Sequence, residues 1–155
     1  YCSLRNGKLA DRPFADWTAA DRADLCRRYN VGWVLCRTTE AANWWATDPT
    51  AKLVGRFTDD GAEVVLYELA RERSFVLSGS AKVERMDPGR IVLTDVVPDA
   101  DKRVRLSLHF QKQVRVGPSP LVWAVAEKDP HDPVPFLTLT AAGPVSRVTL
   151  TWEHP

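Results

Sequence analysis

The sequence has no run of 18 apolar residues, so nothing in it reads as a membrane-spanning helix. It has no excess of charge of one sign: 21 Lys and Arg stand against 20 Asp and Glu, a formal net charge of +1. A non-specific polyanion binder carries a basic excess, so nucleic acid is not an expected partner. Cysteine is scarce. Cys2, Cys26 and Cys36 form no Cys-x-x-Cys pair, which argues against a cysteine-rich zinc site. No Gly-x-Gly-x-x-Gly or Gly-x-x-x-x-Gly-Lys-Ser/Thr tract occurs, so nucleotide phosphates lack a cradle and no cofactor is expected. No Gly-x-Ser-x-Gly occurs either; Leu77-Ser78-Gly79-Ser80 lies in a strand pattern, not at a strand-to-helix elbow. There is no repeat of fixed period. The first residue is Tyr1, and no charged or apolar leader follows it, so the expectation is a piece of a longer chain or a processed one.

What is present is an ordinary globular mixture. Apolar residues are 45% and charged residues 26% of the 155, which argues against disorder. A chain of this length buries about 70% of the surface its unfolded form exposes, so it folds without a metal or disulfide staple. Cys26 and Cys36 read as small buried apolar residues.

Composition changes near Arg71. Before it, helix and strand patterns alternate. Residues 16–30 read as a helix that Thr18 caps, with Asp21 three residues on to complete a capping box, and with Asn30 and Gly32 as stop signals. Asp21 and Asp24 come early in it and Arg27 and Arg28 late, which suits the helix dipole. Val31–Cys36 is a short apolar run of the kind found in strands covered on both faces, as in a parallel or mixed sheet. Residues 40–46 read as a short helix. Strands follow at 52–57 and 63–69, joined by the hairpin signal Asp60-Gly61.

After Arg71, period-two alternation dominates. Val104, Leu106, Leu108 and Phe110 face one way and Arg103, Arg105, Ser107 and His109 the other. Residues 75–86, 91–97, 114–116, 121–126, 136–140 and 147–152 also read as strands, separated by turn signals such as Asp87-Pro88-Gly89 and Gly143-Pro144. The Pro-rich stretch 129–135 reads as an extended loop. The expected fold is α+β: a small α/β part over residues 1–72, then an antiparallel β-sandwich over 73–155, the two sharing one core.

The tract Arg28-Tyr29-Asn30-Val31-Gly32-Trp33-Val34-Leu35, a short helix, and then Leu53-Val54-Gly55-Arg56-Phe57 and Val65-Leu66-Tyr67-Glu68-Leu69 follow one another in an order that is itself informative. With the β segments Arg90–Leu93 and Arg103–Phe110, this order resembles the soluble segment after the last membrane spans of large bacterial glycosyltransferase-like proteins. The YfhO-type and dolichyl-phosphate-mannose mannosyltransferase-like proteins are examples. The chain departs from that pattern after Phe110, where Gln111-Lys112-Gln113-Val114-Arg115 replaces a Gly-Trp tract. The resemblance implies the non-catalytic, extracytoplasmic tail of a polytopic protein. Its implied partners are a glycan or lipid-linked sugar, its own membrane segments, or another subunit. No catalytic residue carries over.

Several constellations are candidates for chemistry. The tandem Trp44-Trp45 offers aromatic faces for a sugar ring, with Asn43 and Thr47 to orient hydroxyls; the plainer alternative is that both rings pack a short helix. Trp17, Trp33, Trp123 and Trp152 have apolar neighbours and read as structural. Asp129 and Asp132, beside His131, form a weak candidate for a hard cation, against the alternative of a solvated turn. The other histidines, His109 and His154, are far from this pair in sequence. The carboxylate pairs Asp59-Asp60 and Asp99/Asp101 belong to turns. Arg71, Arg73, Arg103 and Arg105 suggest a basic face for lipid phosphates or acidic glycans, with Glu68, Glu72 and Glu84 to neutralise part of it. A binding or accessory domain is therefore expected, with a structural interaction module and a small hydrolase as the alternatives.

Overall fold

The computed structural model describes residues 4–5, 7–9, 12–118, 120–129 and 132–152, with the backbone alone for Leu4, Arg5, Asp129, Asp132 and Pro133. Cys2, His131 and His154 lie outside the described residues. Among the described residues the fold is mainly antiparallel strand with two α-helices. It divides into two compact units, Tyr1–Arg73 and Ser74–Pro155.

The first unit opens with a small antiparallel meander, β1 (Leu4–Arg5), β2 (Lys8–Leu9) and β3 (Arg12–Pro13), and a 3₁₀ turn, Phe14–Asp16. Helix α1 (Ala19–Arg28) starts where the sequence signals it: the Thr18 hydroxyl accepts from Asp21 N–H and the Asp21 carboxylate accepts from Thr18 N–H, both at 3.1 Å. Asp is short for a capping box, yet it closes here because Arg12 also donates to its Oδ2 and holds the carboxylate over the helix start. Asn30 takes the left-handed conformation just past the helix end (φ 49°), the role of an αL stop residue. Strand β4 (Trp33–Cys36), helix α2 (Thr39–Ala46), strand β5 (Ala51–Asp59) and strand β6 (Ala62–Leu69) complete the unit. Asp60 and Gly61, with φ of 50° and 77°, turn β5 into β6. Both central residues in positive φ is what a type I′ hairpin requires.

The sheet order β4-β6-β5 corrects the expectation for Val31–Cys36. Each neighbouring pair is antiparallel, and β4 and β5 flank β6, running in the same direction with α2 crossing between them. Strand β4 is covered on one face only. Val34 and Cys36 are buried, whereas Trp33 and Leu35 are 48% and 49% exposed. A continuous apolar run can therefore arise when a strand has one dry face and one open apolar face. The core joins Leu25 and Cys26 of α1, Ala41, Ala42 and Trp45 of α2, and Val34, Cys36, Val65, Tyr67 and Leu69 of the sheet. The Tyr67 hydroxyl satisfies itself by donating to the Ala42 carbonyl at 3.0 Å.

The second unit contains β7 (Val76–Ser78), β8 (Ser80–Asp87), β9 (Arg90–Val97), β10 (Arg103–His109), β11 (Arg115–Gly117), β12 (Val122–Asp129), β13 (Asp132–Ala141) and β14 (Val145–Thr151). They form two four-stranded antiparallel sheets, in the orders β12-β13-β10-β7 and β11-β14-β9-β8. One cluster of buried side chains draws on both: Val104, Leu106, Val122, Leu137, Leu139 and Ala141 from the first, Ile91, Leu93, Val96, Val148 and Leu150 from the second. Among the described residues one cluster of buried apolar side chains lies in the first unit and another in the second.

Two strand expectations change. Residues 75–86 are not one strand. Gly79 (φ +69°) breaks the run, so β7 pairs with β10 in one sheet and β8 with β9 in the other. A Cβ at Gly79 would lie 2.8 Å from the Arg103 carbonyl oxygen and 2.9 Å from that of Val97, closer than any side chain tolerates. The Pro-rich stretch is also not a loop throughout, because β13 begins at Asp132 and includes Pro133 and Pro135. The two prolines fall where the register with β12 is irregular and before β10 joins at Phe136. A missing N–H costs little there. Replacing Gly79 with Ala combines a positive φ with two backbone collisions. The variant is expected to lose at least about 2 kcal/mol of stability in urea denaturation; an unchanged midpoint would show that the sheet switch does not depend on this glycine.

Candidate functional site

The tandem tryptophans are the first candidate, and the structure assigns them to packing. Trp45 is 2% exposed, inside the first unit's core, and has no face to offer a ligand. Trp44 stacks on Phe14 at 4.6 Å (interplanar angle 12°) and meets Trp17 and Trp45 edge-on. Between the helices, Arg22 of α1 is 5% exposed; its guanidinium sits 4.6 Å from the Trp44 ring centroid and donates to the Trp44 carbonyl at 3.0 Å. Its charge is met by Asp48 at 2.7 Å, and Thr50 donates twice to the second carboxylate oxygen of Asp48. Asn43 is exposed on the helix, away from this box, and Thr47 donates its hydroxyl to the Trp44 carbonyl. The four residues therefore do not converge on a cleft. The reason is helical geometry: Ala41, Ala42 and Trp45 turn one face of α2 to the core, and Asn43 lies on the opposite face.

The cation candidate is outside what can be described. Asp129 and Asp132 are opposite each other at the ends of β12 and β13, and their side chains lie outside the described residues, as does His131. Among the described residues no group of three or more His, Cys, Asp or Glu side chains is placed to hold a metal. Cys26 and Cys36 are buried, and burial pushes the Cys36 thiol up to about 11, so it is a neutral packing group at physiological pH. The suggested basic face draws on residues of both units. Arg71 and Arg73 belong to the first unit, where Arg71 donates to the Val31 carbonyl and Arg73 lies 3.7 Å from Glu68; Arg103 and Arg105 belong to the second.

A different site emerges on the outward face of the β12-β13-β10 sheet. Register places three rows across it: Trp123, Thr140 and Arg103; then Val125, Thr138 and Arg105; then Glu127, Phe136 and His109. Of these residues Trp123, Thr140, Arg103, Val125, Thr138 and Glu127 line a groove of about 500 Å³, whose rim adds Asp101, Lys102 and Lys128. Trp123 is 50% exposed in it. The floor is ordered. Thr138, 1% exposed, donates to Glu127 Oε2 at 2.6 Å; Arg105 Nη1 lies 3.9 Å from Glu127 Oε1, and its guanidinium covers Phe136 with 4.8 Å to the ring centroid. At one end the turn before β10 is held by Asp99, whose Oδ1 accepts from the N–H groups of Asp101 and Arg103, both at 3.0 Å. Hydrogen bonds from the Arg103 backbone, then from the Ser78 side chain and the Asp101 backbone, hold the Asp99 carboxyl below its ordinary 3.8, with help from the nearby Arg103 charge.

Trp123 was read from the sequence as structural, as was Trp33, and both are half exposed. Strand β12 is apolar on both faces over Val122–Ala126, so its own alternation does not say which side is wet. The signal lies in its partner: Thr138 and Thr140 alternate with Leu137, Leu139 and Ala141, and Trp123 pairs with Thr140. No family model, curated protein or solved structure matches this chain. Trp45→Ala is expected to cost about 3–5 kcal/mol in chemical denaturation, the scale for emptying a buried aromatic site. A loss below 1 kcal/mol would return the tandem to candidacy as a binding feature.

Proposed function

We propose that this chain is a non-catalytic binding domain whose second unit is a β-sandwich that holds a glycan in the Trp123 groove. One observation carries the reading: an exposed indole stands on a sheet face beside a row of hydroxyl, carboxylate and guanidinium groups. The apolar face of a pyranose packs on an indole, and its hydroxyls need donors and acceptors close by. Thr140, Arg103 and Glu127 supply both kinds. Trp123 and Arg103 stand two strands apart, about 10 Å, which leaves room for one sugar ring above Thr140. The sandwich is supported by the shared cluster of inward residues from both four-stranded sheets. The resemblance to the soluble tails of multi-pass glycosyltransferase-like proteins supplies the proposed setting: the extracytoplasmic face of a bacterial membrane, where glycans and lipid-linked sugars are at hand. Among the described residues no helix is long and apolar enough to cross a membrane.

A second reading, the interaction module, is favoured by the open face of the first unit's sheet, where Trp33, Leu35 and Phe57 are exposed and share a side with Leu66. If that face docks onto a second copy, sedimentation equilibrium will show self-association that Leu35→Lys removes; a monomer at high concentration would count against it.

The glycan reading is tested by calorimetric titration and amide-shift mapping against a glycan panel. Trp123→Ala is expected to weaken any saccharide affinity at least tenfold. Folding should be retained to within about 1 kcal/mol, since the ring is half exposed on an edge strand. No heat and no shift change with any glycan would sink the proposal.

A further inference from the structure

The groove gathers, at one place on the chain, cations that have no carboxylate partner among the described residues. Many cations elsewhere are matched within 4 Å by carboxylates: Arg12 by Asp21, Arg22 by Asp48, Arg37 by Asp59, Arg56 by Glu63, Lys82 by Asp95 and Arg147 by Glu84. At the groove, Lys102, Arg103 and Lys128 have no such partner among the described residues. Two carboxylates also line it. Glu127 is already engaged by the Thr138 hydroxyl and by Arg105, which leaves Asp101. Asp99 bears on Arg103 by charge without an ion pair within 4 Å, and its Oδ1 is taken up by backbone N–H groups. Among the described residues the rim therefore carries Lys102, Arg103 and Lys128 against Asp101, in a chain whose total is only +1.

Resting on the glycan reading, we infer that the groove selects an acidic saccharide: a hexuronate ring stacked on Trp123 with its carboxylate directed to Arg103 and Lys102. The placement follows from the first row of the sheet. A ring lying over Thr140, with one face toward Trp123, points its far edge at Arg103, across the middle strand. A guanidinium presents two parallel N–H groups that match a carboxylate, which a hydroxyl cannot engage in the same way. Lys102 precedes Arg103 in the Asp99 turn, and that turn is fixed by two backbone hydrogen bonds, so both cations are held near the same end. Lys128, on the rim with Glu127, lies toward the other end of β12 and suits a second acidic unit along the chain of sugars.

The full chain is titrated with a panel of hexuronate tetrasaccharides and with neutral hexose tetrasaccharides of matching linkage. The expected result is at least tenfold tighter binding for a hexuronate member than for its neutral counterpart, the scale of one charge-assisted hydrogen-bonded pair. That advantage should shrink as salt rises. Arg103→Gln should abolish the hexuronate preference, weakening the hexuronate several-fold more than its neutral counterpart. Trp123→Ala should weaken both. Equal binding of the two sugar classes through Trp123, or a hexuronate preference that survives Arg103→Gln, would overturn this inference and leave the glycan reading standing. Absence of binding in both panels would overturn the two together. Arg103→Lys keeps the charge but loses the fork; it should recover less than half of the lost preference, and full recovery would replace the carboxylate-fork assignment with simple charge attraction.

Discussion

Strand β13 imposes the constraint on which the second unit and its groove both depend. Leu137, Leu139 and Ala141 must point into the cluster shared by the two sheets, because their burial is what holds those sheets together. A strand has period two, so Phe136, Thr138 and Thr140 are thereby sent to the opposite face. Thr138 and Thr140 form the central line of the groove floor, with Phe136 beyond them on the same face, β12 on one side and β10 on the other. A slip of one residue would put two threonine hydroxyls and a central aromatic into the apolar core and the leucines outside. The groove is therefore set by the same alternation that sets the core.

The outward face is more than a solvated side. Phe136 and Thr138 are almost fully buried on it, beneath Arg105 and Glu127. Arginine uses its stem and flat head to cover the phenyl ring while keeping its charge near a carboxylate. That arrangement fixes the middle of the floor and leaves the Trp123 end open. For the proposed ligand, a rigid floor with an open end would leave few side chains to immobilise on binding.

Gly79 and the Asp99 turn frame this surface from the β10 side. The glycine lets one strand-like stretch serve two sheets, with β7 lying beside β10 and β8 beside β9. Its lack of a side chain is needed because the carbonyls of Arg103 and Val97 close in on it. Asp99 then turns the chain into β10 by bonding the N–H groups that start the strand. In the first unit the comparable organising contact is buried: Arg22 and Asp48 join α1 to the end of α2, between the tryptophans. A buried pair of this kind specifies which helix face meets which more than it adds net stability.

Local signals were legible in the chain itself. The Thr18 and Asp21 helix start, the Asn30 stop, the Asp60-Gly61 hairpin and the alternating strands at 103–110 and 147–152 each depend on residues close in sequence, and each took the form those residues specify. What neighbours could not supply was decided by tertiary structure. Whether Val31–Cys36 had one covered face or two depended on which strands and helices came to lie against it. Trp44 and Trp45 were absorbed by Phe14, Arg22 and the sheet, from other parts of the chain. Trp123 was left in the open because β12 is an edge strand whose pairing with β13, and not its own apolar sequence, chose the face. Local conformation answers to local sterics and hydrogen bonds; the exposure of an aromatic ring answers to everything that packs beside it.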